Sequence, residues 1–260
     1  MTQSERRIYL IRELLNEDAK YRGTEIPSEK DEQSDLLRGL MNVRQPGKIS
    51  DDFLAVQDAY LQEETEEKGI TALEELSPVL EGLYLWQGDI TTLRCGAIVN
   101  AANSGMTGCY TPCHNCIDNC IHTYAGIQLR LACDEIIRKQ GHGEATGQAK
   151  ITPAFNLPCD YVMHTVGPIV SGSLTEEHKR LLASCYRSCM ELAEQYDVTS
   201  IAFCCISTGV FHFPNDIAAE IAIRTVKEYR EQTKSSMKVI FNVFGDRDYE
   251  IYRELLEGRG

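Results

Sequence analysis

The sequence predicts an α/β protein: a three-layer α/β/α sandwich around a mostly parallel mixed sheet, preceded by a helical extension. Two observations predict the sandwich. From about residue 82, short β-branched and aromatic runs alternate with longer amphipathic segments, the pattern of parallel strands joined by crossover helices. One run, Ile201-Ala202-Phe203-Cys204-Cys205-Ile206, is apolar throughout, as strands covered on both faces are. A third observation sets the extension apart: residues 1 to 80 carry helical spacing only. The boundary falls at 80, giving an extension of 1–80 and a sandwich of 81–260.

Each element has its own signal. Ile8, Ile11, Leu14 and Leu15 form one helical stripe, and Leu36, Leu37, Leu40 and Met41 a second. Phe53, Leu54, Val56, Tyr60 and Leu61 form a less regular third, closed by Gly69, and Pro46-Gly47 interrupts the series. The acidic run 63–67 reads as a solvated helix face. Leu83-Tyr84-Leu85-Trp86 and Ala97-Ile98-Val99 read as short strands, and 117–139 as one helix. Then come a strand at 161–166, a helix at 175–196, the strand at 201–206 and a helix at 215–231 opened by Pro214-Asn215-Asp216. A strand at 239–244 and a short helix at 249–256 close the chain. In such sheets ligands sit beyond the carboxyl ends of the strands. The segments expected there are Gln87-Gly88-Asp89-Ile90, Asn100 to Asn103, Ser207 to Phe211, and Phe244-Gly245-Asp246.

Composition excludes several classes. A formal net charge of −13, with a pI near 5.0, opposes non-specific binding to nucleic acid. Any phosphate ligand meets an adverse field and needs oriented backbone N–H groups to hold it. The 11 cysteines are odd in number, and Cys185, Cys189, Cys204 and Cys205 lie in apolar runs. They read as small buried hydrophobes of a reducing compartment, not as a disulfide framework. The N-terminus lacks the apolar core of a signal peptide, and no apolar run reaches the ~18 residues that span a bilayer. A cytoplasmic monomer without membrane contact is the expectation.

Four constellations carry chemistry. Cys109-Tyr110-Thr111-Pro112-Cys113-His114-Asn115-Cys116 puts three thiols and an imidazole within eight residues. Soft ligands at that density suit zinc, and a helix starting near Ile117 places its positive end beside the thiols. A three-ligand site with an open position, a closed structural zinc site and a Cys113/Cys116 redox pair all fit this spacing. Asp118, in the first helical turn, is either an electrostatically stabilised helix-end acid or a general base; His122 shares its face at i+4. His122 is expected to hydrogen-bond to the neighbouring strand. Ser207-Thr208-Gly209-Val210-Phe211 is either an ordinary strand-to-helix turn or a cradle for a pyrophosphate. Asp89 either caps the next turn or accepts from an adenine amino group; Phe244 either stacks on a base or belongs to the core. No Walker sequence is present, and Gly141-His142-Gly143 follows a helix, so it fails the dinucleotide-binding context.

Taken together, a set of stretches resembles the macrodomain family, most of all its MacroD-type hydrolase branch. They are Gly88-Asp89-Ile90-Thr91, Ile98-Val99-Asn100-Ala101-Ala102-Asn103, Ile121-His122, Thr146 to Pro153, His164-Thr165-Val166-Gly167-Pro168 and Ile206-Ser207-Thr208-Gly209. The likeness covers residues from about 83 to 257. The glycine run that usually precedes the branch's catalytic aspartate is replaced here by Cys113-His114-Asn115-Cys116-Ile117-Asp118, similar to zinc-containing macrodomains, which also carry a helical extension. The resemblance implies an ADP-ribose pocket and a zinc-dependent hydrolase that removes mono-ADP-ribose from acidic side chains of proteins. It implies Asp89, Ile90 and Phe244 around adenine and Ser207, Thr208, Gly209, Val210 and Phe211 around the pyrophosphate. Asn103 would bind the distal ribose, Asn100 would hold the loop, and Ile117, Asp118 and Asn119 complete the ADP-ribose site. Asp118 and Asn103 are the implied catalytic residues. Cys109, His114 and Cys116 are the implied zinc ligands, with Cys113 set aside because adjacent side chains point apart. The rival reading is a non-catalytic ADP-ribose reader with structural zinc.

Overall fold

Caps and glycines divide the chain where polar residues flank apolar stripes. The computed structural model describes residues 1–258. Thr2 and Glu5 close a capping box at the start of α1 (Gln3–Glu17). α2 (Lys30–Val43) follows, and then α3 (Asp51–Lys68), which Ser50 caps and Gly69 ends at φ 88°. Their stripes meet in one apolar cluster that includes Leu10, Ile11, Leu37, Leu40, Phe53, Tyr60 and Leu61. Ile127, from the later part of the chain, completes that cluster. Ile8, Leu36, Leu54 and Val56 are only partly covered, so the buried stripes are narrower than the sequence pattern. The acidic run lies on the last turns of α3, where only Thr65 is buried.

The strands are β1 (Thr71–Ala72), β2 (Leu83–Gln87), β3 (Leu93–Arg94), β4 (Ala97–Ala102), β5 (Ala149–Pro153), β6 (Tyr161–Val166), β7 (Ser200–Phe203) and β8 (Lys238–Val243). Six of them form one sheet in the order β2-β8-β7-β4-β6-β5. Every neighbouring pair is parallel except β5 with β6. β1 and β3 form a separate parallel pair. Between and after the strands run α4 (Ile117–Ala125), α5 (Ile127–Gln140), α6 (Glu176–Gln195), α7 (Asn215–Thr233) and α8 (Asp246–Glu257), with helices on both sides of the sheet. The central strands are buried along their length, with Ile98, Val99, Ile201, Ala202 and Ile240 at 0% exposure. This is the three-layer α/β/α sandwich with a helical N-terminal part that the pattern predicts. Among the described residues no helix is long and apolar enough to cross a membrane.

Several boundaries differ from the sequence reading. The helix expected over 117–139 is two helices, broken at Gly126 with φ 94°. A Cβ there would lie 2.6 Å from the Gln57 amide nitrogen, so the break makes room for α3. The strand expected over 201–206 leaves the ladder at Phe203. β4 continues to Ala102, so Asn100 lies within a strand and not beyond it. β5 carries no apolar run and goes unread in the sequence, because it is a half-covered edge strand. The final helix begins three residues earlier than expected, at Asp246.

Candidate functional site

The carboxyl ends of β2, β4, β7 and β8 open on a cleft of about 1000 Å³. Asp89 and Ile90 line it after β2, Asn103 after β4, Ser207 to Phe211 after β7, and Phe244 after β8. Cys109, His114, Cys116, Ile117 and Asp118 line it from the loop between β4 and α4. Asn100 and Asn119 do not line the cleft. Each is 0% exposed and acts from behind its wall.

Asp118 is 5% exposed and held on both oxygens. Asn100 donates to Oδ1 at 2.8 Å, and Asn103 donates to Oδ2 at 3.3 Å. Burial lifts its pKa to about 6, against the pull of those two amides and the Arg130 charge. Asn100 thus holds the carboxylate and not the loop, a correction that follows from its position inside β4. Asn100 also meets His164 Nδ1 at 3.2 Å. Its amide is the donor there, so His164 carries its proton on Nε2, which faces Thr152 Oγ1 at 3.0 Å. Burial drives the His164 pKa down to about 3. His122 packs near His164 of β6 but makes no hydrogen bond to a strand. Its Nε2 lies 3.6 Å from Asp118 Oδ1, its ring sits 6.1 Å from that of His164, and burial pushes its pKa well below the ordinary histidine value. Gly108, at φ 86°, is required for this packing, since a Cβ would meet the His122 ring at 2.9 Å.

The cysteine-rich loop folds so that three of its donors converge. The ligand atoms of Cys109, His114 and Cys116 all lie within 4.8 Å of one another, with Cys109 Sγ 3.6 Å from His114 Nδ1. Two sulfurs and one ring nitrogen at that separation fit a zinc ion, and all three residues line the cleft. Cys116 is the N-cap of α4 and accepts the Asn119 N–H at 3.4 Å. Cys113 sits at φ 53° and turns outward, where its thiol donates to the Asp35 carbonyl at 3.3 Å. Asn119 ties the loop together by donating to the carbonyls of Cys109 and Thr111 at 3.3 and 3.0 Å. All eleven cysteines are free thiols.

At the other end of the cleft, Asp89 accepts from the Thr91 N–H and hydroxyl at 3.0 and 2.6 Å. Burial raises its pKa, but the Thr91 bonds and the Lys68 charge outweigh it, and the group stays below the ordinary carboxylate value. Phe244 is 81% exposed, so it is not core. Ser207 holds a left-handed φ of 68°, with its hydroxyl buried against Gly167; a Cβ on Gly167 would come within 2.0 Å of it. A Cβ on Gly209 meets nothing within 4 Å.

Two lining residues come from the extension. Arg38 of α2 donates to the His114 carbonyl at 2.8 Å and to Asn119 Oδ1 at 3.1 Å. Lys68 of α3 pairs with Asp89 at 3.2 Å and lies 3.3 Å over the Tyr124 ring. Neither carries a motif. Each is one cation among the polar residues of its helix, and only the docking of the extension brings it to the cleft.

The Macro domain family model matches residues 99–222. The fold, the strand-end cleft and this match define the class: the chain belongs to the macrodomain family. It is 58% identical to a protein-ADP-ribose hydrolase of Treponema medium, over 98% of this chain and 100% of that one. It is 50% identical to a protein-ADP-ribose hydrolase of Staphylococcus aureus (strain MSSA476), over 95% of this chain and 93% of that one. Among solved structures, the Trypanosoma brucei macrodomain in complex with ADP-ribose superposes with a TM-score of 0.66 at 28% identity, covering 81% of this chain and 92% of that one.

Proposed function

We propose that this protein is a zinc-dependent protein-ADP-ribose hydrolase that removes mono-ADP-ribose from acidic side chains. The hydrolase relatives at 58% and 50% identity support the activity. The observation that carries the finer reading is the convergence of a buried, doubly held Asp118 with the Cys109/His114/Cys116 cluster on one wall of the cleft.

The substrate lies across the strand ends. Asp89 accepts from the adenine amino group, the Ile90 N–H meets the ring and Phe244 covers the base. The loop from Ser207 to Phe211 wraps the pyrophosphate with backbone N–H groups, which suits a chain of net charge −13 that offers few cations for the purpose. Gly209 leaves the space in which the diphosphate approaches the backbone. Asn103 orients the distal ribose, and Ile117 packs beside it.

Reaction occurs at the anomeric carbon of that ribose. The bond from this carbon to the side-chain carboxylate oxygen breaks, and the carboxylate leaves with the electron pair. A water oxygen bonds to the same carbon, and Asp118 takes the water's proton. A carboxylate is a good leaving group, so no strong acid is needed, and the transition state is oxocarbenium-like. Cys109, His114 and Cys116 would hold the zinc; when bound, the ion supplies Lewis-acid polarisation of an oxygen ligand and lowers the pKa of a water.

The test is release of free ADP-ribose from a protein mono-ADP-ribosylated on glutamate. Asp118→Ala is expected to lose about 10²–10⁴-fold in turnover while still binding ADP-ribose, and chelator is expected to abolish release until zinc is restored. Full turnover by Asp118→Ala overturns the catalytic assignment. Tight binding without release by the wild type leaves a reader module.

A further inference from the structure

The proposed reaction gives the N-terminal helices no part, yet α2 faces the metal loop directly. Asp35, Arg38 and Asn42 stand at helical spacing on one side of α2. The Asp35 carbonyl accepts the Cys113 thiol at 3.3 Å. Arg38 Nη2 donates to the carbonyl of the ligand His114 itself at 2.8 Å. It also donates to Asn119 Oδ1 at 3.1 Å, and Asn119 in turn holds the Cys109 carbonyl. Asn42, 1% exposed, accepts the Cys113 N–H at 2.9 Å and donates to Thr123 of α4 at 3.0 Å.

The helix that makes these contacts is itself fixed. Arg130 of α5 donates to the carbonyls of Met41 and Asn42 at 3.1 and 2.8 Å, a cation at the C-terminal end of α2. The same guanidinium lies 4.4 Å over the Tyr110 ring of the metal loop. The loop therefore sits between two arginines, one from the extension and one from the sandwich. It contains no helix or strand from Asn103 to Cys116 and includes Cys113 at φ 53°. Such a segment costs conformational entropy to order, and ligands ordered in advance bind more tightly.

We propose that α2 is the outer clamp of the metal loop, with Arg38 and Asn42 as positioning residues that set the affinity of Cys109, His114 and Cys116 for zinc. This rests on the zinc reading above. Outer contacts of this kind are worth 10–100-fold in metal affinity.

The experiment uses the full chain. Zinc affinity is measured by competition with a chromophoric chelator, and the ligand geometry is read from the visible spectrum of the cobalt(II)-substituted protein. Arg38→Met and Asn42→Ala are expected to bind zinc about 10–100-fold more weakly and to alter the cobalt bands. The unfolding midpoint of the metal-free Arg38→Met protein should stay within a few degrees. Lys68→Ala, on the adenine side, should keep wild-type zinc affinity. Arg38 is only half-buried, so Arg38→Met carries the test alone if Asn42→Ala does not fold. Wild-type zinc affinity and an unchanged cobalt spectrum in Arg38→Met overturn the clamp while leaving the zinc reading intact. A wild-type protein that takes up no zinc overturns the zinc reading, and the clamp with it.

Discussion

At the scale of single residues the site is governed by burial. Asp118 is an acid inside protein, and its two amide donors are what make that tolerable. Asn100→Ala removes the shorter bond and is expected to cost about 1–3 kcal/mol of stability in urea unfolding. In an Asp118→Asn background the same change should cost distinctly less, because the two groups are coupled; equal costs would show that they are not. Gly209 presents the opposite case, since its Cβ position is empty in the folded chain. Gly209→Val should therefore change stability by no more than about 0.5 kcal/mol yet weaken ADP-ribose binding by at least tenfold in calorimetry. His164 predicts a pH effect. Its folded pKa, about 3, lies below its ordinary value of 6.5. The unfolded chain takes up the proton first, so this contribution to stability is complete above pH 6.5 and is lost as pH falls toward 3. The expected slope is up to about 1.4 kcal/mol per pH unit, and His164→Asn should flatten it in denaturant titrations between pH 7 and 5.

At the scale of elements the informative break is Gly126. One continuous helix would carry Gln57 of α3 out of contact with the Ile127 N–H, which the Gln57 side-chain oxygen accepts at 3.0 Å. Gly126→Ala forces a side chain into a left-handed backbone and against Gln57 at once. A loss of about 1–3 kcal/mol is expected, read as a lower thermal midpoint, with the damage centred where the extension meets α4 and α5. The α2 clamp belongs to this scale as well. A helix with no motif acquires a role through what it packs against.

At the scale of the whole molecule the described residues form two apolar clusters, one in the sandwich and one in the extension. Ile127 belongs to the second although its chain position is in the first region. Buried polar bonds cross the seam: Asn42 to Thr123, Arg130 to the end of α2, and Gln57 to Ile127. Opening the seam leaves those groups unpaired, so the two clusters should unfold together. The single tryptophan, Trp86, reports on the sandwich, whereas far-UV circular dichroism reports on all helices, those of the extension included. The two signals should fall at one denaturant midpoint, and a separate early loss of helix would show that the extension melts alone.

The sequence by itself determined the alternation of strand and helix, the strand-end positions of Asp89, Asn103, Ser207 and Phe244, and the density of thiols around His114. These are local matters of periodicity, turn chemistry and ligand spacing, and such signals survive in a linear string. It also read the extension as helical from its stripes. Only the tertiary structure decided that Asn100 grips Asp118 from inside a strand and that Asn119 ties the cysteine-rich loop from behind. It alone brought Arg38 and Lys68 to the cleft from far upstream. The physical reason is the same in each case: partners distant along the chain meet only once the apolar clusters close, and hydrogen bonds between them leave no period or spacing to be read beforehand.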